Sequence, residues 1–334
     1  MIILRYLLFP FAIVYGWITS IRNFLYDKGV LKSYSFDIPI IAVGNLSVGG
    51  TGKTPQIEYL IRLLSPNYKI ATLSRGYKRK SIGYVLADAS ATAESLGDEP
   101  FQMHQKFPNI KVAVDADRKN GIENLLKLEE KPDVILLDDA FQHRKVKAGF
   151  YILLSAYDDL FCDDFMLPTG NLRESRNGAK RANCIIITKC PKNLSIEEQD
   201  RIKARINYKI PIFFSFIDYD TKVYNKNEEI NVSEIIEKDK VIIAGIAKPE
   251  PFIDFIKKEN DVIMIYPDHH HFVNNEINSI KENSFGMIII TTEKDYVRLN
   301  SQNLNNLYYL PIKSTFLAND QRFNGLVNEY IIKF

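Results

Sequence analysis

A glycine-rich stretch with an adjacent lysine and threonine, VGNLSVGGTGKTP at residues 43–55, has the composition of a phosphate-binding loop. An apolar run at residues 38–43 precedes it and an amphipathic run at residues 56–64 follows it, so the loop would join a strand to a helix. In such a loop, backbone N–H groups and the N-terminus of the helix bind phosphate oxygens. Lys53 would then reach the β- and γ-phosphates of ATP, and the Thr54 hydroxyl would hold Mg²⁺.

The loop departs from the pattern Gly-x-x-x-x-Gly-Lys-Ser/Thr at one place, because Ser47 stands at the first glycine position. A glycine-rich turn that holds no phosphate is the alternative. It is disfavoured by the flanking strand and helix and by Pro55, since proline is common in the first turn of a helix. The predicted nucleotide-binding residues are consecutive: Ser47, Val48, Gly49, Gly50, Thr51, Gly52, Lys53 and Thr54.

Two carboxylates, Asp138 and Asp139, follow a second apolar run at residues 134–137, which is the Walker B pattern. Mg²⁺ prefers octahedral oxygen ligands and keeps several waters, so one carboxylate beside Thr54 and the phosphates is enough. Successive residues of a strand face opposite ways. We therefore predict that one carboxylate serves the metal and the other serves the turn or the substrate. An acidic strand end that holds no ion is the alternative.

Three further segments carry polar residues that are candidates for the site. His143, directly after the carboxylates, would position a reactive group or cap a helix. Arg173, in the loop at residues 167–174, would neutralise phosphoryl charge. The basic segment at residues 75–80 is either a solvated turn or a contact for an anionic substrate.

Acids and histidines form two more candidate sites. Asp98 and Glu99 would by themselves be an ordinary helix start, with acids in the first turn. Three histidines at residues 269–271 follow Asp268. Neighbours in sequence rarely bind one metal ion, since tetrahedral sites use wider spacings. A histidine beside a carboxylate is better suited to proton transfer near neutral pH.

The elements that position these residues alternate between apolar runs and helical stretches. The runs are continuous, which is typical of parallel strands buried on both faces. They lie at residues 38–43, 70–74, 111–115, 134–137, 151–155, 184–188, 212–217, 241–244, 262–266 and 287–291. We predict an α/β fold with a P-loop NTPase-type, mainly parallel sheet, a second, smaller α/β domain and an N-terminal membrane-associated helix. The predicted parts are an interfacial helix (1–30), a P-loop domain (31–218), a hairpin linker (219–230) and a smaller domain (231–334).

The N-terminal segment is apolar but short. Between Arg5 and Arg22 lie 16 uncharged residues, fewer than the roughly 17–25 of a membrane-spanning helix, and Pro10 interrupts them. Trp17, Tyr6 and Tyr15 would sit at the level of the lipid headgroups, and the flanking positive charge suits anionic lipid. We predict a helix that lies at the membrane interface. A helix buried in the core is the alternative.

Composition excludes some classes of protein. A length of 334 residues allows two domains, and a net charge of +2 without a nucleic-acid-binding motif argues against DNA or RNA as a partner. Cys162, Cys184 and Cys190 form no Cys-x-x-Cys pair, so we predict buried thiols in a reducing compartment.

Taken together, the motifs resemble those of the tetraacyldisaccharide 4'-kinase (lipid A 4'-kinase) family over nearly the whole chain. Ser47 agrees with the family, in which a small hydroxyl residue is usual at that position. The shared motifs lie at residues 44–55, 74–77, 97–100, 137–143, 168–174, 268–269 and 292–295.

The resemblance implies transfer of a phosphoryl group from ATP to the 4'-hydroxyl of a tetraacylated, 1-phosphorylated glucosamine disaccharide. The product would be lipid IVA, made at the cytoplasmic face of the inner membrane by a peripheral protein. The resemblance also implies two α/β domains joined by a two-stranded linker, with the active site in the cleft between them.

The resemblance further implies a role for individual residues. Asp98 and His269 would be the base dyad that accepts the hydroxyl proton. Lys53 and Arg173 would bind phosphate, and Thr54 with Asp139 would form the magnesium side of the active site. The predicted acceptor-binding residues share these motifs: Asn45, Arg75, Glu99, Gln142 and His143.

Two other kinds of protein compete with this interpretation. A membrane-attached switch ATPase or GTPase would also carry the loop, but guanine recognition usually needs Asn/Thr-Lys-x-Asp, and here Pro191 follows Thr188-Lys189-Cys190. A non-enzymatic membrane scaffold would tolerate a degenerate loop, whereas Lys53, Thr54 and the Walker B acids are intact.

Overall fold

The computed structural model describes residues 5–268, 270–300, 302 and 304–334, and the chain forms two compact units. The first unit contains Met1–Ile217 and Ser314–Phe334, and the second contains Asp218–Lys313. The C-terminal boundary therefore differs from the predicted domain 231–334. The physical reason is packing, since Phe316, Phe323 and Val327 belong to the main apolar core of the first unit.

The sheet of the first unit has nine strands. They are β1 (Ile40–Asn45), β2 (Ile70–Ser74), β3 (Val85–Leu86), β4 (Lys111–Val114), β5 (Val134–Asp138), β6 (Phe150–Ala156), β7 (Cys184–Thr188), β8 (Ile212–Tyr219) and β15 (Ile312–Phe316). Their order across the sheet is β15-β8-β7-β6-β1-β5-β2-β4-β3. The pairs from β8 to β4 are parallel, and β3 is antiparallel to β4.

Burial explains why these runs are strands. Every residue of β1, β5 and β7 is buried, because apolar side chains cover both faces of a parallel sheet. Cys184 and Cys190 are buried as predicted, and Cys162 is half-buried. The predicted α/β class with a large, mainly parallel sheet is confirmed.

Helices cover the sheet of the first unit. The helices are α1 (Phe9–Asp27), α2 (Lys53–Leu64), α3 (Ala93–Leu96), α4 (Asp98–Lys106), α5 (Arg118–Leu125), α6 (Ile196–Ile206) and α11 (Asp320–Ile332), with a 3₁₀ helix at Arg176–Arg181. Helix α2 packs its apolar side, with Ile57, Leu60, Ile61 and Leu64, into the core and presents its N-terminus to the glycine-rich loop.

The second unit has its own six-stranded sheet. The elements of this unit are β9 (Lys222–Tyr224), β10 (Glu229–Asn231), α7 (Val232–Ile236), β11 (Lys240–Ala244), α8 (Glu250–Ile256), β12 (Val262–Ile265), α9 (Asn274–Asn283), β13 (Ile288–Thr292), α10 (Glu293–Leu299) and β14 (Leu307–Leu310). The strand order is β10-β9-β14-β13-β11-β12. The predicted hairpin linker is an antiparallel pair, and it joins this sheet where Tyr224 pairs with Tyr309. The remaining strand pairs are parallel.

Helix α1 does not fit the alternative of a core helix. Pro10 lies in its first turn, where proline is tolerated, and Ala12 is its only buried residue. Trp17 and Ile18 are 68% and 61% exposed, and Phe11 is 65% exposed. Within the described part of the chain, no helix is both long and apolar enough to cross a membrane.

Candidate active site

The glycine-rich loop connects β1 to α2, as its sequence predicts. Gly49 and Gly52 have φ values of +115° and +81°, which side chains other than glycine rarely adopt. Thr54 lies in the first turn of α2 and is buried, whereas the side chain of Lys53 is 18% exposed. The loop therefore offers backbone N–H groups, a helix N-terminus and a lysine at one place.

The loop is held from two sides. The Thr188 hydroxyl, at the end of β7, donates to the Thr51 carbonyl oxygen over 2.8 Å. On the other side, Val48 N donates to Asn171 O, and Arg173 N donates to Leu46 O, both over 2.8 Å. The segment that carries Arg173 is thus joined to the loop through main-chain hydrogen bonds, which fix where the Arg173 side chain begins.

Four predicted residues converge at the end of β5. Arg173 donates from both terminal guanidinium nitrogens to Asp139, over 3.1 and 2.9 Å. Lys53 Nζ lies 3.7 Å from the same carboxylate. Arg173 also donates to the main-chain oxygen of Asn45 over 3.2 Å and to the Asn45 side-chain oxygen. The structure therefore brings Lys53, Arg173, Asp139 and Asn45 together.

Strand alternation does not set the directions of the two Walker B acids. Strand β5 ends at Asp138, and Asp139 has a φ of +47°, in the left-handed region. Next to it, Phe141 lies so close to Gly44 that a Cβ on Gly44 would come within 2.9 Å of Phe141 N. The chain therefore turns sharply against β1 directly after Asp138. An uncommon backbone conformation of this kind is often found at functional sites.

The two acids have opposite electrostatic environments. Burial raises the pKa of Asp138, and the charges of Glu99 and Asp139 raise it further. Burial also opposes ionisation of Asp139, but the hydrogen bond from Arg173 and the charge of Lys53 lower its pKa to about 2. Asp139 is thus already neutralised by cations, whereas negative charge and burial dominate around Asp138.

Two buried residues that the sequence interpretation gave no role support these acids and their neighbours. Arg118, 2% exposed, donates to the main-chain oxygen of Asp138 over 3.1 Å. Glu174, 3% exposed, accepts from Gln142 over 2.9 Å and from Arg181 over 2.8 Å. Glu174 lies in a shared motif, but nothing in its sequence context distinguishes a buried acid with several partners from an exposed one.

The remaining predicted site residues lie on separate segments of the chain. Asp98 and Glu99 are half-buried in the first turn of α4, and Glu99 is close enough to Asp138 to raise its pKa. Arg75 is exposed after β2. His269 lies outside the described residues, so its pairing with Asp98 stays a prediction. No cluster of three or more His, Cys, Asp or Glu side chains within the described residues is arranged to hold a metal ion.

His143 is half-buried and carries no charge at neutral pH. Burial lowers its pKa to about 4, and the positive charges of Arg118 and Arg75 contribute. The imidazole therefore offers one donor and one acceptor rather than a positive charge.

We expect this imidazole to make folding pH-dependent. In the unfolded chain its pKa is about 6.5, so the unfolded state binds the proton first as the pH falls. The stability that His143 contributes is complete above pH 6.5, and up to about 3 kcal/mol is lost as the pH falls towards 4. Urea unfolding of wild type and His143→Asn between pH 7.5 and 4 measures this loss in the free energy of unfolding. The difference between the two curves isolates the imidazole from carboxylates that titrate in the same range, and parallel curves would contradict the expectation.

The parallel sheet, the glycine-rich loop and the Walker B acids at neighbouring strand ends define a P-loop protein that acts on nucleotide phosphates. The family model for tetraacyldisaccharide-1-P 4'-kinase matches residues 4–331. The chain belongs to this family, and it is a kinase.

Relatives and a solved structure agree with the family. The chain is 64% identical over 332 residues to the tetraacyldisaccharide 4'-kinase of Flavobacterium johnsoniae, covering 98% of each chain. It is 65% identical over 333 residues to that of Flavobacterium psychrophilum, covering 98% of this chain and 97% of the relative. The crystal structure of the "apo" form of LpxK from Aquifex aeolicus in complex with ATP superposes with a TM-score of 0.80 at 32% identity, covering 98% and 99% of the two chains. These likenesses do not favour a membrane-attached switch ATPase or GTPase.

Proposed function

We propose that the protein transfers the γ-phosphoryl group of ATP to the 4'-hydroxyl of tetraacyldisaccharide 1-phosphate and so makes lipid IVA for lipid A biosynthesis. The names of its relatives support this acceptor. One observation supports the donor above all: Lys53 and Arg173 meet at Asp139, beside a glycine-rich loop that begins a helix. The oxygen of the acceptor hydroxyl bonds to phosphorus, the bond to ADP breaks, and the hydroxyl proton passes to a base.

The protein would bind the phosphates and stabilise their charge by electrostatic interactions. Residues 47–54 would bind the phosphates through backbone N–H groups, and Lys53 would neutralise the β- and γ-phosphates. Arg173 would stabilise charge on the transferred group, because its fork of donors matches phosphate as well as carboxylate. In the described structure both prongs of that fork donate to the Asp139 carboxylate.

The residues present also fit Mg²⁺. Asp138 Oδ1 is buried and has no hydrogen-bond partner among the described residues, and burial together with nearby acids raises the pKa of this carboxyl. A carboxylate in that environment is stabilised by a cation. We propose that Thr54, Asp138 and Asp139 form the magnesium side of the site, where the ion would neutralise phosphate charge.

The acceptor side rests on the family motifs. We propose that Asn45, Arg75, Glu99, Gln142 and His143 bind the acceptor. We also propose that Asp98 and His269 form the base dyad that takes the hydroxyl proton, because a histidine polarised by a carboxylate accepts protons near neutral pH.

The reaction is tested by measuring ATP consumption and lipid phosphorylation with purified protein. We expect ATP consumption to depend on tetraacyldisaccharide 1-phosphate and to match the lipid IVA formed. ATP hydrolysis of equal rate without the acceptor would instead indicate a switch ATPase, and no hydrolysis under either condition would indicate a scaffold.

We propose further that α1 lies at the cytoplasmic face of the inner membrane. Its exposed apolar side chains, among them Phe11, Val14, Ile18 and Ile21, suit the boundary between headgroups and acyl chains. We expect the double substitution Ile18→Ser and Ile21→Ser to weaken binding to vesicles that contain anionic phospholipid by at least about tenfold. A sedimentation assay measures this, with Ile196→Ser as the control, because Ile196 is 75% exposed on α6. Equal binding by all three proteins would overturn the proposal.

A further inference from the structure

The side of α1 opposite its exposed apolar residues makes polar contacts with the segment that carries Arg173. The Tyr15 hydroxyl donates to the main-chain oxygen of Arg173 over 2.9 Å. Further along the helix, Asn23 Nδ2 donates to Glu174 Oε2 over 2.8 Å. Just before the helix begins, the Arg5 guanidinium donates to Gly170 O over 2.8 Å. These contacts follow the segment from residue 170 to residue 174.

Glu174 is the central group of this contact. Its Oε1 accepts from Gln142 and from Arg181, while its Oε2 accepts from Asn23. Gly178 packs closely against it, since a Cβ there would come within 2.9 Å of Oε2. A carboxylate that is 3% exposed and satisfied by three donors is held firmly, because losing a donor would leave buried charge uncompensated.

Glu174 is linked to Arg173 through Gln142. Gln142 Nε2 donates both to Glu174 and, over 2.8 Å, to the main-chain oxygen of Asn45. That same oxygen accepts from Arg173 Nη2. Because both partners of the Gln142 amide nitrogen only accept, the orientation of this amide is fixed.

We propose that Glu174 is a positioning residue through which α1 holds Arg173 and Gln142 in place for phosphoryl transfer. Helix α1 would then have two separable roles. Its apolar side binds the membrane, and its polar side, at Asn23 and Tyr15, holds the phosphate-binding Arg173 in position. This inference rests on the proposed function and gives α1 a part in turnover that membrane binding does not explain.

The test reverses the direction of one hydrogen bond. Asn23→Asp replaces a donor with an acceptor of the same size and sets two carboxylates against each other. We expect kcat at saturating ATP and lipid to fall about 10–100-fold, with KM for ATP and vesicle binding close to wild type. Adding Glu174→Gln supplies an amide donor towards the carboxylate introduced at position 23 and keeps an acceptor for Gln142 and Arg181. We expect this double variant to recover at least about tenfold in kcat over the single variant.

Controls separate the two roles of the helix. Ile18→Ser should weaken vesicle binding and leave amide hydrogen exchange at residues 170–174 unchanged. Tyr15→Phe, which removes one hydroxyl, should lower kcat several-fold without unfolding the protein, so it keeps the test valid if Asn23→Asp does not fold. A wild-type kcat in Asn23→Asp or in Tyr15→Phe, or a double variant no better than the single, would overturn the proposal.

A measurement without turnover distinguishes this proposal from the proposed function. Amide hydrogen exchange at residues 170–174 should be faster in Asn23→Asp than in wild type, because the Arg173 N–H bond to Leu46 O opens more often. Faster exchange in a protein that phosphorylates no lipid would support the link and reject the function. Unchanged exchange would reject the link.

Discussion

Replacing Lys53 by alanine is expected to lower kcat by about 10³-fold, because an active-site cation loses its interaction with phosphoryl charge that grows in the transition state. The side chain is 18% exposed and pairs with Asp139 at 3.7 Å, so it is not part of the apolar core. Loss of activity should therefore come without loss of folding. Single-turnover kinetics with ATP and the lipid acceptor measure the effect.

A matched control is Lys257→Ala. The Lys257 side chain is 50% exposed and pairs with the exposed Asp254, and such pairs contribute little to stability. We expect this variant to retain wild-type kcat and KM, and both variants to keep the melting temperature of wild type. Lipid phosphorylation close to the wild-type rate in Lys53→Ala would contradict the assignment of the loop as a phosphate site.

The sequence was most informative where a residue type has few structural uses. The glycine-rich pattern predicted a loop between a strand and a helix, and the structure has that loop, with positive φ at Gly49 and Gly52. Continuous apolar runs predicted buried parallel strands, and β2 and β7 have the predicted bounds. These features depend on local patterns, which a single sequence contains.

Features that depend on tertiary contacts were missed. The amphipathic pattern of α11 shows that one side is buried but not on which sheet, so residues 314–334 were placed in the smaller domain instead of the first unit. Opposite directions for Asp138 and Asp139 stay a prediction, but strand alternation is no basis for them, because the strand ends between the two residues. The hydrogen-bond partners of Glu174 come from α1, from the turn after β5 and from the 3₁₀ helix at Arg176–Arg181. These segments are far apart in the sequence, so no pattern of residue spacing could predict that they meet at Glu174.

The second large effect is expected at Arg173. Replacing it with lysine keeps the positive charge but removes the forked pair of donors, so kcat should fall about 10²-fold. Replacing it with alanine removes the charge as well, so kcat should fall about 10³-fold. In both variants Asp139 loses the hydrogen bonds that oppose its burial, and its pKa should rise from about 2 towards its ordinary value. The carboxylate beside the phosphates would then be held less firmly, which adds to the loss of phosphate binding.

Arg176→Ala is the control for this series. Arg176 lies three residues further along, is exposed, and donates to the main-chain oxygen of Asp164 rather than to a carboxylate of the site. We expect wild-type turnover from Arg176→Ala, an intermediate kcat from Arg173→Lys and the lowest from Arg173→Ala, all measured at saturating ATP and lipid with folding checked by thermal melting. If Arg173→Lys and Arg173→Ala both kept wild-type turnover, Arg173 would serve only to neutralise Asp139. Equal, severe losses would show that the forked geometry of the guanidinium matters more than its charge, because lysine supplies the charge alone.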